Sequence, residues 1–418
     1  MHPRRLAITL LVAATAGVCP NACAQERPRG TAPPPDPYTR GEPAAMAKLG
    51  YASFGPFVFG SDHDSEDVVE LLGDEPVLWI ETAHFRIGCA LSPLPLRATE
   101  PWTDEWVLAL RGELKRLDAR LPCIDTTTNV LDPWLRAHLT AQRCEDVYAA
   151  VMRNLAVDDH GFPAGRPDDA TDPVSYRGRG RFLGMRSKFR VLLLRREASH
   201  ARYTRAFQGR EMPDPVRDYD AACGSLYWGG SEETDGGLFR DDLALHAHLA
   251  FNVAHNLYSG YRDYCHELPA WLVTGLGHVH SRAVSPRFPT YERAHDRDRE
   301  RRSDFWQWGT RARGLAQNGV FEPFATFSER VESGKFGLEQ HIQSWSFVDW
   351  LVRTRKDATM RFVHLLKEPF HARTRLPSPD ELRERQQQSL RCAFGVDAAA
   401  LEAQYLRDVT GRSAARRK

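Results

Sequence analysis

The sequence predicts an α+β protein, with a small mixed or antiparallel sheet and its helices over residues 75–285 and an α-helical subdomain over residues 286–418. Alternating apolar residues in Val77–Ala90 and the run FRVLLLR at Phe189–Arg195 predict strands. Apolar residues at intervals of three and four within Asp241–Ser281, and again in the last quarter of the chain, predict helices. These patterns favour a sheet-containing domain that is followed by a helical part.

Composition limits the classes of function. The 418 residues include 56 Lys and Arg against 55 Asp and Glu, a formal net charge of +1. This balance gives no support to binding of nucleic acid, so we expect no nucleic-acid partner. A hydrophobic content of 42% is sufficient for substantial cores in a chain of this length.

The first 24 residues are typical of a bacterial Sec-type signal peptide. His2–Arg5 is positively charged, Leu6–Val18 is an apolar run too short to span a bilayer, and Ala22–Ala24 fits a cleavage site. The segment 25–74 begins with many prolines, glycines and charges and is predicted as a flexible N-terminal linker. We therefore expect a periplasmic or secreted protein with no transmembrane segment.

Six cysteines follow the predicted signal peptide, at positions 89, 123, 144, 223, 265 and 392. In an oxidising compartment they could form disulfides in any of several pairings, or some could be buried free thiols. Cys123 and Cys144 flank one predicted turn and are plausible partners.

The remaining elements of the first domain are predicted in chain order. Helices are expected at Thr103–Leu117, Pro133–Leu155 and Glu197–Phe207. Short strands are expected at Gly224–Trp228 and Gly237–Arg240, on either side of the glycine-rich turn Gly229–Gly236. In the C-terminal part, helices are expected at Ser344–Leu351, Thr359–Leu366, Pro379–Phe394 and Asp397–Val409.

The segment Asp241–Ser281 predicts two helices joined by a polar loop. Asp241 and Asp242 suit the N-cap and first turn of the first helix, which ends near Ser259-Gly260. Pro269 suits the first turn of the second helix. The apolar residues that line the two helices are Leu243, Ala247, Ala250, Ala254 and Leu257, then Leu268, Leu272, Leu276 and Val279.

This helix pair carries FNVAH at residues 251–255 and PAWLVTGLG at residues 269–277. It resembles the gluzincin-type zinc metallopeptidases, the thermolysin-like superfamily, and within it the bacterial peptidase-MA-like proteins. Their pattern is a helical H-E-x-x-H followed by a helix that reads P-x-W-L-x-E-G-x-A. A further helix of those relatives, Q-S-W-x-x-V-x-x-L, matches Gln343–Leu351, so the resemblance extends over residues 80–410. It implies a gluzincin-like catalytic-type domain.

The resemblance assigns the four chemically decisive positions of that family to residues of this chain. The first zinc ligand falls on Phe251, the general base on Asn252, the second ligand on His255 and the third ligand on Thr274. Zinc needs side chains with lone pairs, and its bound water needs a carboxylate to take a proton. Phenylalanine has no lone pair, an amide cannot accept and return a proton, and a neutral hydroxyl is a poor ligand. Only His255 keeps the required side chain.

The sequence therefore predicts a degenerate active site in a non-catalytic protein, with no catalytic residue and no metal or other cofactor. The cleft is expected to hold Phe251, Asn252, His255 and Thr274, together with His248 and His278. In gluzincins an edge strand borders this cleft and binds extended peptide through backbone groups. The resemblance thus implies a peptide or protein ligand, because strand addition does not need the metal.

Two alternatives remain open at this point. One is a zinc-dependent peptidase or hydrolase with a rebuilt site made of His255, His278 and His248. The other is a structural envelope protein in which all polar cleft residues are satisfied internally, because single buried histidines are usually ordinary core residues.

Overall fold

The computed structural model describes residues 34–96, 103–163, 177–264, 266–290, 306–330, 333–370 and 377–411. The predicted signal peptide 1–24 and Cys265 lie outside the described residues. The fold is a mixed α+β fold with a small mixed sheet and many helices, as predicted from the sequence. No helix within the described residues is long and apolar enough to cross a membrane.

The main sheet has five strands in the order β1-β2-β5-β7-β6. Its strands, with the two strands of a separate small sheet, are β1 (Leu78–Glu81), β2 (Phe85–Cys89), β3 (Leu94–Pro95), β4 (Val130–Leu131), β5 (Phe189–Leu194), β6 (Val216–Asp220) and β7 (Ser225–Ser231). The central strands β2, β5 and β7 are parallel, whereas β1 and β6 run antiparallel at the two edges. The small sheet pairs β3 with β4.

The helices account for most of the chain. In chain order they are α1 (Pro43–Leu49), α2 (Ser65–Leu72), α3 (Thr103–Asp118), α4 (Pro133–Leu155), α5 (Glu197–Gln208), α6 (Thr234–Gly237), α7 (Asp242–Gly260), α8 (Ala270–Val284), α9 (Trp308–Gln317), α10 (Phe324–Phe327), α11 (Leu338–Thr354), α12 (Lys356–Leu366), α13 (Pro379–Phe394) and α14 (Ala398–Thr410). Every helix predicted from the sequence is confirmed within a few residues.

Strand β5 is buried along its whole length because it has strands on both sides and helices on both faces. Successive side chains of a strand face opposite sides of the sheet. Val191 and Leu193 join the large core that includes α4 and α7, whereas Leu192 and Leu194 join a smaller core with α2 and α5. This two-sided burial explains why the run FRVLLLR lacks polar alternation.

The strand predicted at Gly237–Arg240 is wrong. Residues Leu238–Arg240 form a 3-10 turn, and part of the predicted glycine-rich turn instead extends β7 to Ser231. The edge strand of the sheet is β6, whose charged sequence VRDYD gave no strand signal. The edge strand therefore precedes β7 in the chain.

The prediction of a flexible linker over residues 25–74 is wrong from residue 34 onward. Residues 34–74 contain α1 and α2, and they pack on the sheet. The rings of Phe57 and Phe59 contact Trp79 with centroids 5.6 and 5.0 Å apart. The carboxylate of Asp36 bonds His138 Nε2 of α4 at 3.2 Å. Aromatic residues scattered through this segment stabilise it, although its overall composition is typical of a linker.

The five described cysteines, Cys89, Cys123, Cys144, Cys223 and Cys392, all carry free thiols. The predicted pairing of Cys123 with Cys144 is wrong. Cys144 faces the core from the middle of α4, whereas Cys123 is exposed. Burial raises the pKa of the Cys144 thiol well above its usual range, and the nearby Glu145 charge adds to this shift.

The helical C-terminal part packs directly on α8. The ring of Trp271 lies 5.0 Å from that of Phe324, 5.6 Å from that of Phe347 and 6.1 Å from that of Phe362. One continuous core includes these residues and the sheet residues. Helix α8 thus joins the two halves of the chain.

A buried ion network fixes the first turn of α7. Arg143 of α4 donates both terminal nitrogens to Asp242, at 2.8 and 2.7 Å, and one of them also to Glu113 of α3 at 2.7 Å. Burial opposes ionisation of Asp242, but the charge and hydrogen bonds of Arg143 outweigh it and hold the pKa of this carboxyl below its usual range. Three helices therefore meet at one guanidinium group.

We predict that Arg143→Met lowers the free energy of unfolding by about 3–5 kcal/mol, because it leaves two buried carboxylates without their cation. Chemical denaturation measures this loss. As a control, Arg116→Met removes an arginine whose pair with Asp146 is half-exposed, and it should change stability by less than about 1 kcal/mol. Equal effects of the two substitutions would contradict the importance of the network.

Candidate functional site

Helices α7 and α8 form the candidate site, as the sequence predicts. The side chain of Asp241 caps α7 by accepting from the backbone nitrogens of Leu243 and Ala244 at 2.8 and 3.0 Å. At the other end, the buried ammonium of Lys367 donates to the carbonyl oxygen of Ser259 at 2.8 Å. A carboxylate at the start and a cation at the end both suit the helix dipole.

The glycines of the PAWLVTGLG run allow α8 to approach its neighbours closely. A Cβ at Gly277 would lie 2.9 Å from the ring of Phe251 on α7. A Cβ at Gly275 would lie 2.4 Å from the Val348 side chain and 2.6 Å from the Ser344 carbonyl oxygen on α11. The motif therefore has a packing role in this chain that is independent of any metal.

The four positions assigned from the resemblance are all buried at this helix pair. Phe251 fills the space between α7 and α8, with its ring centroid 4.7 Å from that of His278 and 6.2 Å from that of His255. Thr274 lies one turn before His278 on α8. The structure thus groups Phe251, His255 and His278, as the sequence predicts.

Both polar atoms of the Asn252 side-chain amide form hydrogen bonds. Its Nδ2 donates to the carbonyl oxygen of His248 at 2.8 Å, and its Oδ1 accepts from Arg217 Nη1 at 2.5 Å. Arg217 comes from the edge strand β6, and its guanidinium also lies 5.8 Å from the centroid of the Phe251 ring. The edge strand therefore contributes a cation to Asn252, the residue on which the resemblance places the general base. Sequence reasoning missed Arg217.

A second residue that sequence reasoning missed is His341 of α11. Its Nδ1 and His278 Nε2 share a hydrogen bond of 2.9 Å. The edge of Trp308 packs on the His278 ring with centroids 4.8 Å apart. His341 lies two residues before the Gln343–Leu351 match, but no other pattern in the sequence marks it as a site residue.

We call His248 and His255 of α7, His278 of α8 and His341 of α11 the histidine cluster. Burial lowers the pKa of His278, and the neighbouring His341, Arg282, His248 and His255 lower it further. Burial also lowers the pKa of His255 well below its usual range and that of His341 to about 3, and in both cases Arg217 adds to the shift. These three imidazoles are therefore neutral at pH 7.

Several polar atoms of this region have no hydrogen-bond partner. Neither ring nitrogen of His255 bonds another described residue, and the ring is almost completely buried. The same holds for Thr274 Oγ1 and His278 Nδ1. Buried polar groups are usually paired with protein or with ordered water. Such atoms are therefore available to a water molecule or a polar ligand that enters the site.

The donor set fits a zinc ion poorly. Zinc takes three or four ligand atoms in a tetrahedral arrangement. Among the described residues, no three His, Cys, Asp or Glu side chains converge in a way that could hold a metal ion. His278 Nε2 is engaged by His341, and Arg217 brings positive charge to the same place. A polar or anionic ligand suits these groups better than a cation does.

The remaining histidines of the region point elsewhere. His246 faces Glu113 with 3.7 Å between ring nitrogen and carboxylate oxygen, so it diverges from His248 as the sequence predicts. His266 lies in the loop before α8 and bonds the carbonyl oxygen of Leu366 at 2.9 Å. Neither belongs to the histidine cluster.

We predict that the free energy of unfolding falls as the pH is lowered from 6.5 toward 4, and that His341→Gln flattens this dependence. The pKa of His341 is about 3 in the folded chain, below its value near 6.5 in an unfolded chain. The unfolded chain therefore binds the extra proton over that range, and folding loses about 1.4 kcal/mol per pH unit for each such histidine. Denaturation at a series of pH values measures the slope, and the two curves should run parallel above pH 7. An unchanged slope in the variant would contradict the assignment.

The chain was compared with protein families, with curated proteins and with solved structures, and none of them matches it.

Proposed function

We propose that this protein is an exported, non-catalytic member of the gluzincin-type fold, a pseudo-peptidase that binds an extended peptide beside its former active site. The order of elements supports the proposal: an edge strand, the helix with FNVAH, the helix with PAWLVTGLG, and the helix with Gln343–Leu351 follow one another. The close packing of α7 on α8 and of α8 on α11 brings these segments into contact. The exported state rests on the signal-peptide pattern of residues 1–24.

The observation that carries the proposal is the hydrogen bond from Arg217 to Asn252. In a zinc peptidase this position holds a carboxylate that takes a proton from metal-bound water. Here an amide oxygen occupies it and accepts from a guanidinium group 2.5 Å away. The arrangement offers no proton acceptor of suitable basicity, and it repels a metal cation. The absence of a carboxylate and the nearby positive charge thus both favour a non-catalytic site.

The sheet edge next to this bond supports peptide binding. Strand β6 is the last strand of the sheet, and within the described residues it pairs only with β7. An extended peptide can pair with such an edge through main-chain hydrogen bonds. Tyr219 and Arg217 alternate with Asp218 along β6, so they face the same side, where Arg217 reaches α7. A peptide on this edge would lie beside the histidine cluster.

The histidine cluster favours a second candidate, a zinc-dependent hydrolase with a rebuilt site. His255, His278 and His341 are buried and uncharged at pH 7, and an uncharged imidazole is the form that binds zinc. His255 retains two unpartnered ring nitrogens. Against this candidate, the hydrogen bond between His278 and His341 would have to break before His278 could bind through Nε2.

Metal analysis separates the two candidates. We expect protein that has been incubated with zinc and then dialysed to retain far less than one zinc per chain, with no difference in His255→Ala. We also expect no turnover of a broad peptide pool, with or without chelator. One zinc per chain in the wild type, lost in His255→Ala, together with chelator-sensitive turnover, would instead establish the hydrolase.

Hydrogen exchange tests the peptide site. A pool of random decapeptides should slow amide exchange in residues 216–220, because added main-chain hydrogen bonds protect the β6 edge. The opposite sheet edge, residues 78–81, should be unaffected. The same pool with N-methylated backbone amides cannot complete the ladder and serves as the control. Equal exchange with and without the unmodified pool would refute peptide binding at β6.

A further inference from the structure

A cavity lies at the other end of α8, away from the histidine cluster. It has a volume of 420 Å³ and forms where the loop before α8 meets the end of α10, the end of α12 and the start of α13. Small-molecule sites commonly have volumes of about 300–1,000 Å³. None of the residues that line it belongs to the histidine cluster or to β6. It is therefore a separate candidate site.

The walls of the cavity are mainly apolar and rigid. Leu268, Leu366 and Leu382 contribute aliphatic side chains, and Pro269 and Pro379 contribute proline rings. Proline rings fix the backbone, so the walls change little in shape. An apolar body would gain free energy by displacing water from this surface.

The inner end of the cavity is fixed by Gln386 of α13. Its Oε1 accepts from Trp271 Nε1 at 3.2 Å, and its Nε2 donates to the Ser328 carbonyl oxygen at 3.1 Å. These two bonds hold the buried amide between α8 and α10. Gln386 therefore stabilises the cavity, and its bonded amide atoms are not the groups that a ligand would meet first.

The charged groups of the lining carry an excess of positive charge. Among the described residues they comprise three arginines, Arg330, Arg383 and Arg385, and two glutamates, Glu267 and Glu329, which sum to a formal charge of +1. The neighbouring His266 is neutral at pH 7, because burial lowers its pKa to about 3 and the Lys367 charge adds to this shift. A ligand that carries one negative charge would balance the lining.

Two of these arginines have N–H groups that are not bonded to another described residue and could donate to such a ligand. Arg330 uses only its Nε on Glu322, at 2.8 and 3.1 Å, so both of its terminal nitrogens lack a partner among the described residues. Arg383 uses Nη1 on Asp380 at 2.6 Å and pairs weakly with Glu329 at 3.7 Å. A guanidinium group can donate two parallel hydrogen bonds to a carboxylate. The arginines thus offer a suitable geometry as well as charge.

The start of α8 adds to the positive potential. The first nitrogens of a helix have no acceptor within the helix, and they make this end partly positive. Pro269 is the N-cap residue of α8 and provides no side-chain cap. Pro269 and Ala270 both line the cavity, so this uncapped helix end opens into it.

We propose that this cavity binds a small amphipathic carboxylate, with the carboxylate at Arg330 and Arg383 and the apolar body against Leu268, Leu366 and Leu382. Size, apolar walls, excess positive charge and available guanidinium donors all fit this class of ligand. The site is independent of the peptide site at β6 and does not require the gluzincin assignment. No bond is made or broken in the ligand.

Three fluorescent probes with the same apolar body test the proposal: 1-pyrenebutyrate, 1-pyrenebutanol and 1-pyrenebutylamine. We expect the carboxylate to bind the full chain about tenfold more tightly than the alcohol, and the amine to bind most weakly. Fluorescence anisotropy titrations measure the three affinities. Equal affinity for carboxylate and alcohol would overturn the proposal, because the arginines would then contribute nothing.

Substitutions locate the site. Arg330→Gln and Arg383→Gln should each weaken pyrenebutyrate binding about three- to tenfold, whereas Arg353→Gln, at an exposed arginine on α11, should leave it unchanged. Leu382→Asp adds a negative charge to the wall and should remove the preference for the carboxylate over the amine. Leu406→Asp, at an equally half-buried leucine on α14, is its control and also reports on folding. Unchanged binding in both arginine variants would place the probe elsewhere and refute the assignment.

Discussion

The close contact between α7 and α8 determines most of what this structure can do. Phe251 lies against the bare backbone of Gly277, and a single added methyl group there would meet its ring at 2.9 Å. Phe251 therefore acts as a packing residue that holds the two helices together. The same helix pair carries His255, Asn252 and Thr274, so its packing also sets the geometry of the candidate site.

The electrostatics of the site differ from those of a zinc site. A zinc site concentrates positive charge on the metal and surrounds it with carboxylate and neutral imidazole. Here the only charge that contacts Asn252 in the described residues is the guanidinium of Arg217, and its charge lowers the pKa of His255 and His341. A neutral imidazole can both donate and accept a hydrogen bond. The cation at this place is a side chain of the edge strand, and it donates a hydrogen bond to a neutral amide.

Sequence patterns predicted the helices and the central strands, because these depend on local periodicity and on hydrophobic side chains. They failed where tertiary contacts override composition. Strand β6 is charged, yet it is a strand because it pairs with β7, and Arg217 on it reaches α7 across a gap in sequence of 35 residues. His341 lies 63 residues from its partner His278. No local pattern reports a hydrogen bond between such distant residues, so Arg217 and His341 could not be assigned to the site before the fold was known.

The ring nitrogens of His255 and Oγ1 of Thr274 have no partner among the described residues, and buried polar groups cost free energy unless water or a ligand pairs with them. The surrounding core offsets this cost, because Trp271 of α8, Phe347 of α11 and Phe362 of α12 bury large apolar surfaces in one continuous core. Such a cost persists in a folded protein when the core is large enough to tolerate it. A ligand that satisfies these atoms would remove the cost and would stabilise the folded chain by the same interaction through which it binds. Hydrogen bonds to these atoms would therefore add to whatever a ligand gains from its other contacts in the site.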